Sequence, residues 1–484
     1  MKSKRPNLVY VFADQLGYQH CGYAGNPLAR TPHIDSLAES SMNFRQAISP
    51  TPVCAAYRAS LFTGKYTTST GMVINELRMN PNHRCIGHVL TDAGYETAYL
   101  GKWHLWANQL GNHDDPKNAF TPPGPYRLGF DGTWAAYNFH HEYYGTSYYR
   151  DEPVAIPYGP AGVYEPDAQV DMAIDLLQRH GRSNSGQPPA QPLAMFLSIG
   201  TPHDPWRWDN VPEKYAAMFS NVNIPLPANY SGRDDPYADQ WGRFKACDRA
   251  KIPEYLKIYY AMAANLDDNL GRLVRALDEA GLSDDTVFVF TADHGEMFGS
   301  HGRRGKNIFF EEAIRVPFLM RCPGTIPAGI SDVCLATPDI MPTLLGLLGL
   351  PIPAGVEGMD LSHCARGEPG PVPPAALLQN TGACADWIDG HEWRALRDAR
   401  HTYAIFRVDA TERLYDNLAD PLQLHNLADT KPAGPVLRKF REMLRAKLAE
   451  LNDTFASCTW YRDHWTRDRM IVSAARGASA AITQ

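Results

Sequence analysis

The sequence predicts an α/β protein: one large, mostly parallel or mixed β-sheet flanked by helices on both faces, followed by a smaller C-terminal α+β domain with an antiparallel sheet. Three observations lead there. Short apolar runs rich in Val, Leu, Ile and Phe alternate with segments of helical periodicity along most of the chain. Such alternation suits crossover connections, and a strand covered on both faces reads as a continuous apolar run. The pattern then changes near residue 365 to paired short strands and one amphipathic helix. Finally, 484 residues exceed what a single core organises, since domains usually hold ~100–200.

In chain order, Asn7 to Ala13 reads as a buried parallel strand and residues 31–40 as a capped helix start. Residues 86–94 form an amphipathic helix that Gly94 ends, and Tyr95 to Leu100 is the next strand. Leu193 to Ile199 and Thr286 to Thr291 are further apolar strands. Between them lies a long helix over 255–280, with Tyr259, Met262, Leu266, Leu270, Leu273 and Leu277 on one face. Val316 to Met320 is another strand, followed by a helix from Pro338 to Leu348. Residues 112–165, rich in Tyr, His, Pro and Gly without periodicity, read as long loops. Arg366 to Pro374 is a turn-rich link, so the expected division is a catalytic domain over 1–370 and a smaller one over 371–484. Trp393 to Leu396 and Thr402 to Val408 read as a hairpin, and 434–451 as a helix. The tail after Trp460 is charged, then Ala/Ser-rich, and suits either a loose end or a wrap around a neighbouring subunit in a homo-oligomer.

Composition excludes several classes. A net charge of −7 offers no global basic field for nucleic acid. No run approaches the ~18 apolar residues of a membrane span, and Asp14-Gln15 ends the first apolar run before it is long enough for a signal peptide. Nine scattered cysteines, odd in number and without a CxxC pair, argue against a disulfide framework or a zinc knuckle. The expected location is cytoplasmic.

The candidate chemistry sits where strands stop. Asp14-Gln15 follows the first strand and Asp293-His294 follows Thr286 to Thr291. In an open parallel sheet those ends form the ligand crevice, and Asp, Gln and His offer oxygen and nitrogen ligands for a divalent cation. Cys54 follows a Pro-rich approach, Ser49-Pro-Thr-Pro-Val, and opens an Ala-rich run containing Arg58, which puts it near a helix N-terminus. That position lowers a thiol pKa. By itself it is more readily the position of a buried structural cysteine, since free Cys is often buried. Lys102 and His104 in Gly101-Lys-Trp-His, His203 in Thr201-Pro-His-Asp, and Lys306 each follow a predicted strand or strand-end turn. Convergence of these groups on one crevice would suit a tetrahedral oxyanion.

These residues resemble a known family, the formylglycine-dependent sulfatases of the alkaline phosphatase superfamily. The likeness runs from Pro6 to about Leu427. It rests on Ala13-Asp-Gln-Leu-Gly, Arg30-Thr-Pro-His-Ile-Asp, Cys54 to Lys65, Gly101-Lys-Trp-His, Thr291-Ala-Asp-His-Gly-Glu, Glu311 to Pro317, and Leu414-Tyr-Asp-Asn-Leu. The resemblance implies a sulfuric ester hydrolase acting on aryl or carbohydrate sulfate monoesters. It implies that a maturation enzyme oxidises Cys54 to Cα-formylglycine, whose hydrate attacks sulfur with one hydroxyl and releases sulfate by losing the proton of the other. Asp14, Gln15, residue 54, Asp293 and His294 are then the expected ligands of one divalent metal, calcium by family default, with manganese and magnesium as alternatives. Arg58 is expected to orient the hydrate and Lys102 and Lys306 to bind sulfate. His104 is the expected base for hydrate collapse, and His203 the donor or acid near the leaving oxygen. Asn75, and more weakly His301, are further sulfate contacts.

The sequence departs from the pattern in two places. Gln15 stands where many members carry a second Asp, and Ala56 stands where the signature has Pro. Two rivals remain at this level: a phosphonate monoester or phosphodiester hydrolase of the same superfamily, and an unmatured binding homologue in which Cys54 stays a thiol. Specificity is expected in loops 105–165 and 204–250, with Trp106, Tyr126, Trp134, Tyr137, His140, His141, Tyr143, Trp206 and Trp208 as candidate walls for a small sulfate ester or sulfated sugar.

Overall fold

Asn7–Ala13 (β1) is buried along its whole length, as its unbroken apolar run requires, because it lies inside an eight-stranded sheet. A computed structural model describes residues 5–107, 109, 111–113, 115–181 and 191–478. The other strands of that sheet are β2 (Met42–Phe44), β3 (Glu96–Lys102), β4 (Thr133–Tyr137), β5 (Leu193–Ile199), β6 (Thr286–Ala292), β7 (Phe318–Arg321) and β8 (Gly329–Ser331). Their order is β8-β2-β7-β6-β1-β5-β3-β4. The run β6-β1-β5-β3-β4 is parallel, and β7 alone reverses, pairing antiparallel with β6 and β2. The sheet is therefore mixed, in line with the expected fold class.

Register sets the site. Ala13 pairs with Ile199 on one side and with Ala292 on the other, and Gly101 of β3 pairs with Ser198 of β5. Asp14, Asp293, Lys102 and the turn after Ile199 therefore emerge at one edge, the carboxyl ends of the parallel strands. The backbone continues the ladder one step further: the Asp14 amide donates to the Ile199 carbonyl and the Asp293 amide to the Ala13 carbonyl, at 3.0 and 3.1 Å.

Helices α1 (Pro32–Glu39), α2 (Cys54–Thr63), α3 (Ile86–Asp92), α4 (Glu165–Gly181), α5 (Ile252–Glu279) and α6 (Thr337–Leu347) cover the sheet. Helix α2 is buried on every side, so its small residues Ala55, Ala56, Ala59 and Ser60 permit close packing where larger ones would clash. A second sheet, β9 (Ala376–Asn380), β10 (Trp393–Arg397), β11 (His401–Phe406) and β12 (Glu412–Asp416), is antiparallel in sequence order. Its faces alternate with the strand period. Leu377, Leu396, Tyr403 and Leu414 pack on Leu437, Phe440 and Leu444 of α7 (Gly434–Glu450). Leu378, Trp393, Ala395 and Phe406 pack on Ile308, Phe309 and Phe310 beside Lys306. The Arg397 guanidinium adds a bidentate pair to Glu311, at 3.1 and 3.0 Å.

Several elements differ from expectation. The stretch 112–165 is not all loop: it supplies β4 at the sheet edge, whose Trp134–Tyr137 segment is buried on both faces and so lacks alternation. Strands β2 and β8, three residues each, are too short to carry a periodic signal. Val316 and Pro317 fall outside β7, which runs Phe318–Arg321. The tail folds back on its own chain: β13 (Thr466–Arg467) and β14 (Met470–Ile471) form a hairpin, and the Ile471 amide donates to the Arg78 carbonyl at 3.0 Å. Residues 479–484 of that tail lie outside the described residues. Among the described residues no helix is long and apolar enough to cross a membrane.

Candidate active site

Cys54 is the first residue of α2, with Val53 as an N-cap that offers no side-chain bond. Asn75 supplies one instead: its Oδ1 accepts the Ala55 amide at 3.0 Å, satisfying one of the helix's free donors. The Cys54 thiol lies over the carboxyl edge of the sheet. Its Sγ is 3.2 Å from His294 Nε2, 3.2 Å from Lys306 Nζ and 3.7 Å from Asp14 Oδ1. Burial raises the thiol pKa and Asp14 adds to that, but Lys102, Lys306 and a bond from His203 outweigh both and bring it down to about 6. The position therefore favours an anion.

Asp14, Cys54, Asp293 and His294 present ligand atoms that all lie within 4.8 Å of one another, and all four are buried. Burial holds the His294 imidazole neutral, at about 4, so Nε2 carries a lone pair. It lies 3.6 Å from Asp14 Oδ1 and 3.5 Å from Asp293 Oδ1. Asp293 Oδ2 is buried with no hydrogen-bond partner, and its carboxyl is pushed up by burial and by the charge of Asp14. Two carboxylates, a neutral imidazole and the position of Cys54 gathered on one point fit a divalent cation, whose charge would ionise both acids.

Cations close the site from the other side. Lys102 Nζ is 2.5 Å from Asp14 Oδ2. Arg58, fully buried, donates to the Lys102 carbonyl and, at 2.8 Å, to Ser198 Oγ. Its Nη2 lies 3.6 and 3.5 Å from Asp14 and Asp293. Lys306 Nζ reaches Gln15 Oε1, Cys54 Sγ and His203 Nε2 at 3.0, 3.2 and 3.0 Å. A cavity of about 550 Å³ opens above Cys54. An anion seated there meets two ammonium groups and a thiol poised to ionise.

The family model named Sulfatase matches residues 6–350. The chain belongs to the sulfatase family. A second model, N-sulphoglucosamine sulphohydrolase, C-terminal, matches residues 299–452 of this sulfatase. An ulvan-active sulfatase of Formosa agariphila is 36% identical over 466 residues, covering 94% of this chain and 84% of the relative. An endo-4-O-sulfatase of Bacteroides thetaiotaomicron is 28% identical, covering 97% and 96%. The crystal structure of a Bacteroides fragilis protein assigned as a sulfatase superposes with a TM-score of 0.79 at 28% identity, covering 95% and 98%. The sulfatase is thus an enzyme that hydrolyses sulfate monoesters, as the sequence led us to expect.

Of the residues singled out in the sequence, Gln15, Cys54, Asn75, Lys102, His104, His203 and Lys306 line one cavity of the sulfatase, with Asp14, Arg58, Asp293 and His294 beneath it. Three sit differently from expectation. Gln15 bridges Lys306 through Oε1 and Glu296 through Nε2, at 3.0 and 2.9 Å, so its amide oxygen already serves an ammonium group. Asn75 spends its oxygen on the start of α2. His301 stacks on Phe310 at 3.7 Å, bonds Asn229 and lines a different hollow from that above Cys54.

The expected aromatic walls are mostly interior packing. Trp134 stacks on Tyr99, Tyr137 bonds Glu165, Tyr143 bonds the Gly200 carbonyl, and Trp206 packs on Phe298. Of that set only His141 lines the cavity, where His113, Phe139, Trp241 and Arg304 join it. The sequence singles out none of those four, nor Glu76, one by one, although His113, Phe139 and Trp241 lie in the loops expected to carry specificity, because nothing in spacing shows which loop side chain turns inward.

Proposed function

We propose that this sulfatase cleaves sulfated carbohydrates by means of a formylglycine made from Cys54. In this reading one divalent cation, calcium by preference, is held by Asp14, residue 54, Asp293 and His294, and Gln15 joins them only by sharing the Oε1 that also accepts from Lys306. The observation that carries the reading is the place of Cys54 Sγ, 3.2 Å from both His294 Nε2 and Lys306 Nζ at the start of α2. Once oxidised and hydrated, residue 54 supplies one hydroxyl to attack sulfur and a second whose proton loss restores the aldehyde. The cation supplies positive charge that favours an ionised oxygen at neutral pH. Lys102 and Lys306 bind the sulfate oxygens, and their fixed charges meet negative charge as it grows on the ester. Arg58 offsets the two carboxylates and holds the end of β3. His203 lies beside the leaving oxygen: its Nδ1 bonds the Asp204 carbonyl at 2.8 Å, which keeps Nε2 turned to Lys306 and the substrate. His104 takes the proton released in the final step.

The carbohydrate preference is supported by relatives named as ulvan-active and endo-4-O-sulfatases, and by a cavity large enough for a sugar ring. A maturation enzyme that reads the Cys54 segment is its required partner. The test is the mass of the tryptic peptide spanning residue 54, together with rates on sulfated sugars, an aryl sulfate and a matched aryl phosphodiester. A peptide lighter than the thiol form, and sulfate esters preferred, are expected. An unmodified thiol in fully active protein, or a diester preferred by orders of magnitude, would overturn the reading.

A further inference from the structure

Four non-glycine residues on the wall of the Cys54 cavity have left-handed backbones, Gln15, Glu76, His104 and Asn307; two of them face each other, Glu76 with φ of 63° and His104 with φ of 55°. L side chains adopt that conformation uncommonly, and strained positions of this kind cluster at active sites. Both residues are buried, 4% and 3% exposed. Glu76 Oε1 lies 3.4 Å from His104 Nε2, while His104 Nδ1 has no hydrogen-bond partner. The His104 ring lies almost flat on Phe139, with centroids 4.7 Å apart and planes 23° apart. The Glu76 carbonyl is gripped in turn by Arg469 of the C-terminal hairpin, at 2.9 Å.

We propose that Glu76 is the positioning residue for His104: its carboxyl accepts the Nε2–H, so Nδ1, which has no partner of its own, carries the free lone pair. A carboxyl that fixes the tautomer of a base and steadies the imidazolium it becomes is a general arrangement for proton transfer. Oε1 accepts whether the carboxyl is ionised or protonated. This rests on the reading of His104 given above. In sulfate release, His104 Nδ1 takes the proton of the free hydroxyl on residue 54. The O–H electron pair becomes the carbonyl bond, and the pair of the bond from carbon to the ester oxygen leaves with sulfate. Attack on sulfur precedes this proton transfer, so losing Glu76 should slow release and spare the first step.

The test uses matured, metal-loaded protein carrying E76Q, E76A, H104A and the double change E76A/H104A. E76A is expected to lower kcat by about 10–100-fold, as loss of an orienting partner does, with little change in KM and with E76Q in between. Rapid mixing should show a burst of one alcohol per active site, and intact mass should show sulfate retained on the protein. The double variant should be no slower than H104A, because a residue acting only through His104 has nothing left to lose. A double variant slowed by the product of the single effects, or an E76A without burst or retained sulfate, would overturn the role of Glu76 alone. An H104A protein with full activity would overturn the reading of His104 itself.

Discussion

Asp14 and Asp293 leave adjacent parallel strands at the same register, since Ala13 pairs with Ala292, and their carboxylates share one imidazole, His294, at 3.6 and 3.5 Å. Two buried acids so close cannot both ionise without a counter-charge. Asp293→Asn should therefore weaken metal retention and lower the sulfatase rate on the order of 10²-fold or more, with the fold unchanged by circular dichroism. Chelation should abolish turnover, and added divalent cation should restore it. Activity that survives both would place the cation elsewhere.

Lys306 touches Gln15, Cys54 and His203 at once. Lys306→Ala should lower kcat/KM by about 10²–10³-fold, the usual scale for one buried donor to a developing oxyanion. Lys306→Arg should recover little, since a planar fork does not fit where a compact ammonium meets three partners. Steady-state rates on one sulfate ester check both.

The C-terminal hairpin reaches the site by way of backbone. Arg469 holds the Glu76 carbonyl, the Arg78 amide donates to the Arg469 carbonyl at 2.7 Å, and Asn80 Nδ2 donates to the Ile471 carbonyl at 3.1 Å. Arg469→Ala should cost activity while leaving the melting temperature nearly unchanged. Truncation before Thr466 should cost more activity and expose the Gly71–Asn80 segment to protease. Full activity in the truncated chain would show the hairpin to be dispensable.

Stability should depend on a buried pair outside the lining of the Cys54 cavity. Arg394 binds Asp453 through two nitrogens, and Gln379 and Tyr461 complete the cluster. Burial opposes ionisation of Asp453, but Arg394 and the hydrogen bonds outweigh it and hold the carboxyl below its usual range. A depressed folded-state pKa means that this contribution is present above about pH 4, the unfolded value for Asp, and is lost as pH falls through the folded one. Asp453→Ala leaves a buried guanidinium unpaired and should cost about 3–5 kcal/mol. Denaturant titration at pH 7 and at low pH checks this: the difference between wild type and variant should shrink in acid.

The sequence by itself determined the strand-end acids, the helix start at Cys54 and the alternation that makes a covered sheet. Those signals are local: an apolar run ending in Asp-Gln or Asp-His states both the strand and its polar edge, and Pro giving way to Ala marks the start of α2. The cations Lys102, His203 and Lys306 were legible because they follow strands whose ends must coincide. Tertiary structure alone decided which side chains face the cavity. His113, Phe139, Trp241 and Arg304 turn inward from loops, whereas Trp134, Tyr143 and Trp206, equally aromatic in the sequence, are packed in the interior. A loop has no period to tell its two sides apart. It also decided the partners of Gln15 and Asn75, and the meeting of Glu76 with His104 and Arg469, which lie 28 and 393 residues from it along the chain. Contacts over such separations come from how sheet, helices and tail close on one another, and no spacing in the sequence encodes them.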